Sequence, residues 1–98
     1  MLDKIKIALR INNSAYDTEI NNLIRACKKE LELAGIASSK INADDAMIIQ
    51  AVTCYCKAFF GYDNVDAERY IRSYESIKTF LCSNTKYITK STIEEEGE

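Results

Sequence analysis

The spacing of apolar residues predicts two helices in the first third of the chain. In residues 3–9, Ile5 and Leu9 fall on one face, which indicates a short helix. In residues 17–34, apolar residues recur at steps of one, three and four, as on one face of an α-helix. This second stripe consists of Ile20, Leu23, Ile24, Cys27 and Leu31. Gly35 follows it, and glycine commonly ends a helix in the left-handed conformation.

A third helix is predicted over residues 43–60, and it is apolar on nearly all sides. Asn42 and Asp45 precede the apolar run and are residue types that begin helices. One face carries Met47, Cys54 and Ala58. The other side carries mainly Ile49, Val52, Cys56, Phe59 and Phe60. Such a helix is either buried at the centre of a bundle or shared between subunits, and the sequence leaves both possibilities open.

The last predicted helix covers residues 67–82. Its apolar stripe consists of Tyr70, Tyr74, Ile77 and Leu81. Beyond it, residues 87–93 favour β structure and the chain ends in a run of glutamates. We therefore predict an all-α fold, with a helical domain over residues 1–82 and a C-terminal tail over residues 83–98. The domain is a compact bundle of about four helices with an apolar central helix, and the tail is partly extended or disordered.

Length and composition fit one globular domain. The chain has 98 residues, of which 47% are hydrophobic and 29% are charged, as in ordinary globular proteins. No apolar run reaches the ~18 residues that a membrane span needs, so we expect no membrane association. The first residues also lack the charged and apolar regions of a secretory signal.

The residue types that most enzymes depend on are scarce. The sequence contains no histidine and only three glycines, so the usual general base and a glycine-rich phosphate loop are missing. The carboxylate pairs that remain are Asp44 with Asp45, and Asp63 with Asp66. Both lie at predicted helix starts, where carboxylates accept hydrogen bonds from backbone N–H groups. We therefore expect no enzyme activity, no catalytic residues and no cofactor.

The four cysteines, Cys27, Cys54, Cys56 and Cys82, lie in predicted helices. Residues two apart on a regular helix point ~200° away from each other, so Cys54 and Cys56 do not bind one metal ion together. We predict free, mostly buried thiols and no metal site.

Charge argues against a nucleic-acid-binding protein. The net charge is −2, and removing the four C-terminal glutamates leaves 13 basic against 11 acidic residues. The longest basic run is the pair Lys28 and Lys29, which has acidic neighbours. A nearly neutral body without a basic cluster is a poor match to a DNA-binding surface.

Candidate interface residues come from three places in the sequence. Tyrosine is favoured at protein–protein interfaces, although tyrosines at the predicted loops and tail can equally cap the ends of the core. The third helix contributes the apolar face described above. The tail can add a strand to a partner or remain a disordered end. The candidates are Tyr16, Met47, Cys54, Ala58, Tyr62, Tyr87, Ile88 and Ile93.

Three segments of the chain share a pattern with a known family. They are Lys6-x-x-Leu9-Arg10-Ile11 with Asp17 and Ile20-x-x-Leu23-Ile24-x-Ala26, then Ala51-Val52 through Tyr55 to Phe59-Phe60-Gly61-Tyr62, and then Tyr70-x-x-x-Tyr74-x-x-x-Lys78-x-x-Leu81. In these segments, within residues 2–81, the chain resembles the small head–tail connector proteins of tailed bacteriophages. These are also known as head-completion or DNA-packaging proteins.

The resemblance implies a structural protein that assembles as a homo-oligomeric ring, often a dodecamer, under the portal protein. Such a ring extends the DNA channel and contacts the next neck or tail-completion protein, while DNA passes without sequence-specific binding. The implied location is the virion neck, with the host bacterial cytoplasm as the place of assembly. The alternative interpretation is a small cytosolic helical adaptor or regulator that binds a protein partner through the same apolar surface.

Overall fold

The computed structural model describes residues 1–43, 45–61 and 64–88, and these residues form an all-α bundle, as predicted. The helices are α1 (Leu2–Leu9), α2 (Asp17–Leu33), α3 (Ser38–Ile41), α4 (Ala46–Phe59) and α5 (Ala67–Cys82). Within the described residues, β structure is limited to an isolated antiparallel bridge between Ile36 and Ile88. None of the described helices is both long and apolar enough to cross a membrane.

Helix α4 lies at the centre of the bundle, where α1, α2 and α5 pack against it. Both of its predicted apolar faces are covered by the chain itself. Its buried residues are Ile48, Ala51, Val52, Cys54, Cys56 and Ala58. The structure therefore favours the central-helix interpretation over a helix shared along its length between subunits. Phe59, the last residue of α4, remains half exposed.

Side-chain contacts fix the directions of the three long helices. On α4, Tyr55 contacts the Tyr74 ring, and Lys57 lies over the ring of Tyr70, so α4 and α5 run antiparallel. The thiol of Cys82 donates to the carbonyl oxygen of Ala34 at 3.6 Å, so α5 and α2 end side by side. Helices α2 and α5 thus run in the same direction, and α4 runs against both.

A single hydrophobic cluster joins all five helices. Its members on α2 are Ile20, Ile24, Cys27 and Leu31, four of the five residues of the predicted stripe. On α5, Tyr74 and Leu81 are buried, while Tyr70 and Ile77 are only half-buried. Gly35 has a φ of 104° and follows the end of α2, which confirms its predicted role.

The connection between α2 and α4 differs from the prediction in two ways. The sequence predicts a polar linker over residues 37–40, but Ser38–Ile41 forms the short helix α3, whose Ile41 is buried against the core. Helix α4 begins at Ala46 rather than at residue 43. Asp45 is the N-cap, since its Oδ1 accepts hydrogen bonds from the N–H groups of Met47 at 2.9 Å and Ile48 at 3.4 Å.

Candidate interaction surfaces

The N-terminal end of α4 is covered by the last described residues of the chain, and we call it the closed end. The hydroxyl of Tyr87 donates to Oδ1 of Asp45 at 3.0 Å, beside the capping bonds. The N–H of Ala37 donates to the carbonyl oxygen of Tyr87 at 2.7 Å, and Ile88 forms the bridge with Ile36. Burial, and then the hydrogen bond to Asp45, raise the pKa of Tyr87. These bonds hold the end of the described chain against its own core.

The C-terminal end of α4 carries aromatic side chains that are partly exposed among the described residues, and we call it the aromatic end. The rings of Tyr16 and Phe60 meet edge to face with their centroids 5.4 Å apart. Tyr16 and Phe59 are each 50% exposed. A hollow of about 430 Å³ lies here, lined by Ile11, Tyr16, Glu19, Phe59, Phe60 and Gly61. Aromatic side chains in such a setting are typical of protein–protein contact sites.

Two further exposed apolar side chains lie near the last turns of α2 and α5, a region that we call the α2–α5 end. Leu33 is 76% exposed and Phe80 is 49% exposed. The contact between Cys82 and Ala34 brings these two helix ends together. Helix α2 has 17 residues, so it separates this surface from the aromatic end by about 25 Å.

Helices α4 and α5 also form a basic groove, which we define by Lys57, Arg69, Tyr70 and Arg72. The Tyr70 ring lies 5.5 Å from the Lys57 ammonium and 5.0 Å from the Arg69 guanidinium. Arg69, Tyr70 and Arg72 line a shallow depression of about 670 Å³, and Lys57 lies beside it at the Tyr70 ring. Sequence reasoning missed it because Lys57 comes from a different helix. Arg69 and Arg72, three residues apart on one helical face, were the available signal.

A polar contact fixes α5 on α2 beneath these surfaces. The hydroxyl of Tyr74 and the ammonium of Lys78 each donate to Oε1 of Glu30 at 2.9 Å. Burial works to raise the pKa of Glu30, but the hydrogen bonds from Lys78 and Tyr74 outweigh it and hold that pKa below its usual value. The hydrogen bond to Glu30, with a second one to Glu75, raises the pKa of Lys78. Each partner is satisfied by the others, so this cluster serves the packing of the helices.

The four thiols are free, as predicted. Burial raises the pKa of Cys27 and of Cys56 to about 12. Burial also raises the pKa of Cys54. These thiols are not activated as nucleophiles, because the thiolate is the reactive form. In the part of the chain that the structure describes, no group of three or more potential ligand side chains is arranged to hold a metal.

Comparison with known families decides what kind of protein carries these surfaces. The model of a family described as phage connector protein matches residues 1–87. The chain belongs to the phage connector protein family. The match extends over all five helices and ends at Tyr87, the residue that covers the closed end. No curated protein and no solved structure matches the chain.

Membership confirms the family that the sequence resembles. A phage connector has a structural role and is not an enzyme, and the family indicates the virion neck as its location. Membership also indicates that the chain assembles with other phage head and tail proteins.

The connector places its predicted interface residues in different environments. Tyr16 is at the aromatic end, and Tyr87 and Ile88 are at the closed end. Met47 is half-buried against the core, while Cys54 and Ala58 are only 5% and 6% exposed. The remaining candidates, Tyr62 and Ile93, lie outside the described residues, as do Asp44 and Asp63. Sequence reasoning missed the exposed Leu33 and Phe80, which interrupt the polar faces of their helices.

Proposed function

We propose that this connector is a structural subunit of a homo-oligomeric head–tail connector ring. The ring, a dodecamer by resemblance, docks under the portal protein and extends the DNA channel. Its other side meets the next neck or tail-completion protein, and DNA passes through it without sequence-specific binding. The subunit folds in the host bacterial cytoplasm and is incorporated there into the virion neck.

The observation that supports this proposal is that exposed apolar side chains occur in two separate regions of one chain. A closed ring is built from heterologous contacts, so each subunit must present two different patches. The aromatic end offers an open hollow beside Tyr16 and Phe59, and the α2–α5 end offers the projecting side chains of Leu33 and Phe80. The two surfaces differ in shape, as heterologous contacts require, and the family supplies the context of a phage particle.

The structure changes which predicted residues are the best candidates for these contacts. A neighbour can reach Cys54 or Ala58 only if the helices that cover them move, because both are buried within the subunit. Tyr16 needs no such movement, and Phe59 joins it as a candidate. Met47, Tyr62, Tyr87, Ile88 and Ile93 are retained in the proposal as contacts made during assembly.

The mass of the purified chain, measured by light scattering over a wide concentration range, tests the proposal. The measurement is made on the chain alone and with its cognate portal protein. We expect a closed oligomer of many copies, either in solution or on the portal protein. A chain that forms no oligomer and does not associate with the portal protein contradicts the proposal and favours the small adaptor.

Single substitutions then locate the contacts. Phe59→Ser and Phe80→Ser each remove an exposed aromatic ring from one of the two surfaces, and each should abolish oligomer formation or weaken it at least tenfold. Ile7→Ser is the matched control, because Ile7 is 76% exposed on α1 and belongs to neither surface. Equal behaviour of all three variants would show that neither surface makes a ring contact.

A further inference from the structure

We propose that the acidic C-terminal segment of this chain, residues 94–98, binds the basic groove between α4 and α5 of the same subunit. The segment carries Glu94, Glu95, Glu96 and Glu98. It belongs to residues 89–98, which lie outside the described part of the chain. The proposal concerns the free subunit and holds whether or not the subunit forms a ring.

The groove presents hydrogen-bond donors of the kind that bind carboxylates. On α5, Arg69, Arg72, Ser73 and Ser76 are spaced as i, i+3, i+4 and i+7, so they follow one face of the helix, and they line the groove. Lys57 adds a positive charge from α4 beside the Tyr70 ring. Arginine side chains pair with carboxylates through two parallel N–H···O bonds, and the hydroxyls of serine donate as well.

The acidic groups near the groove leave its positive charge largely available. Asp66 lies 3.7 Å from the Arg69 guanidinium, but both side chains are more than half exposed, so this ion pair is weak and easily exchanged. Glu75 is engaged with the Lys78 ammonium at 3.2 Å. Among the described residues, Arg72 has no carboxylate within ion-pair distance.

The end of the described chain lies close enough for its continuation to reach the groove. Tyr87 is bonded to Asp45, the N-cap of α4, and Gln50 of the groove lies about 8 Å further along that helix. Lys57 is about 18 Å from the same point. The six residue-to-residue steps from Ile88 to Glu94 extend up to ~20 Å.

A short tether also raises the local concentration of the segment. Linking two binding partners by a short flexible chain gives an effective concentration in the millimolar range, about what a weak charge contact needs for substantial occupancy. The same segment on a neighbouring copy lacks this advantage at ordinary protein concentrations. Charge complementarity, reach and tethering together therefore favour the chain's own segment as the occupant.

Nuclear magnetic resonance of the full chain tests the proposal through the backbone amides of residues 94–98. Their chemical shifts and heteronuclear NOEs are compared between the wild type, the variant Arg69→Gln/Arg72→Gln and the matched control Arg25→Gln/Lys29→Gln. Arg25 and Lys29 are exposed on α2, so the control loses the same charge away from the groove. We expect the groove variant alone to bring these amides to the values of a free peptide.

A salt titration of the wild type gives an independent measurement that needs no substitution. The screening length falls from ~10 Å at 0.1 M salt to ~3 Å at 1 M, so the NOEs of residues 94–98 should decrease at least about twofold over this range. Amides of residues 94–98 that respond to neither the groove variant nor salt would overturn the proposal. A response that disappears on tenfold dilution would also overturn it, because the contact would then join two copies.

Discussion

The two ends of α4 differ in how far the described chain covers them. At the closed end, Asp45 caps the helix and Tyr87 covers the cap, so backbone and side-chain polar groups are paired within the chain. At the aromatic end, Phe59 and Tyr16 each leave half of their surface exposed beside an open hollow. Among the described residues, the chain thus covers the first turn of this helix and leaves two aromatic rings half exposed at its last turn.

This difference identifies where the subunit is complete without a partner. A small bundle has a limited amount of chain with which to cover an apolar helix. In the part of the chain that the structure describes, the polypeptide covers the helix along its length and at its first turn, and the half-exposed aromatic residue of α4 is Phe59 in its last turn. Contacts with other phage proteins are therefore expected first at the aromatic end, where apolar surface remains to be buried.

The largest expected effect is a difference in thiol reactivity between Cys56, in the interior of α4, and Cys82, at the rim of the bundle. Cys56 is fully buried with a pKa of about 12, while Cys82 is half-buried. Because only the thiolate reacts, Cys82 should be modified at pH 8 at least about a hundredfold faster than Cys56. Mass spectrometry of the protein after timed alkylation measures both rates. Equal rates at the two positions would show that α4 opens readily to solvent.

The same pKa values give the protein a defined sensitivity to alkali. An unfolded thiol ionises near pH 8.5, so the unfolded state loses its proton before the folded state does. For Cys27 and Cys56, whose pKa is about 12 in the fold, the stabilisation is complete below pH 8.5 and declines toward pH 12. Each thiol should lower the free energy of unfolding by about 2 kcal/mol between pH 8 and pH 10, as measured by urea denaturation.

A smaller effect is expected from opening the closed end. Asp45→Ala removes the cap of α4 and the acceptor of the Tyr87 hydroxyl, so it should lower the free energy of unfolding by about 2 kcal/mol. Tyr87→Phe is the control that removes only the hydroxyl, and it should cost about 1 kcal/mol. Urea denaturation measures both. An Asp45→Ala protein as stable as the wild type would show that the cap contributes nothing.

The smallest effect on stability is expected at the aromatic end. Phe59→Ser removes a ring that is already half exposed, so the free energy of unfolding should change by less than about 1 kcal/mol. The contact between Phe60 and Tyr16 remains in this variant, while the ring contact of Phe59 with Tyr55 is lost. Thermal or urea unfolding measures the change. A loss larger than that of Asp45→Ala would place Phe59 in the core and remove the contrast between the two ends.

The sequence was a good guide wherever a pattern repeats along one helix. The stripe that includes Ile20 and Leu31 predicted α2, and the apolar run predicted the central position of α4. Helix α3 was not predicted, because four residues are too few to show a helical period. Its one buried residue is Ile41. The sequence of so short a stretch does not distinguish a helix from a linker, because its conformation depends on the core that it contacts.

Contacts between residues far apart in the chain were not predicted from the sequence. Tyr87 and Asp45 are separated by 42 positions, and no local signal pairs them. The basic groove combines Lys57 of α4 with two arginines of α5, so a search for basic runs overlooked it. The sequence did not distinguish the half-exposed Phe59 from the buried residues of α4, because burial depends on where the other helices end.

The carboxylate of Asp45 has a mechanical consequence. It accepts from the Met47 N–H at the start of α4 and from the hydroxyl of Tyr87 near the end of the described chain. A pull on the chain beyond Ile88 therefore acts first on the backbone contacts of Ile88 and Tyr87 with Ile36 and Ala37, and then through the Tyr87 hydroxyl on the first turn of the central helix. Faster hydrogen exchange at the amide of Ala37, followed by those of Met47 and Ile48, would report such a force.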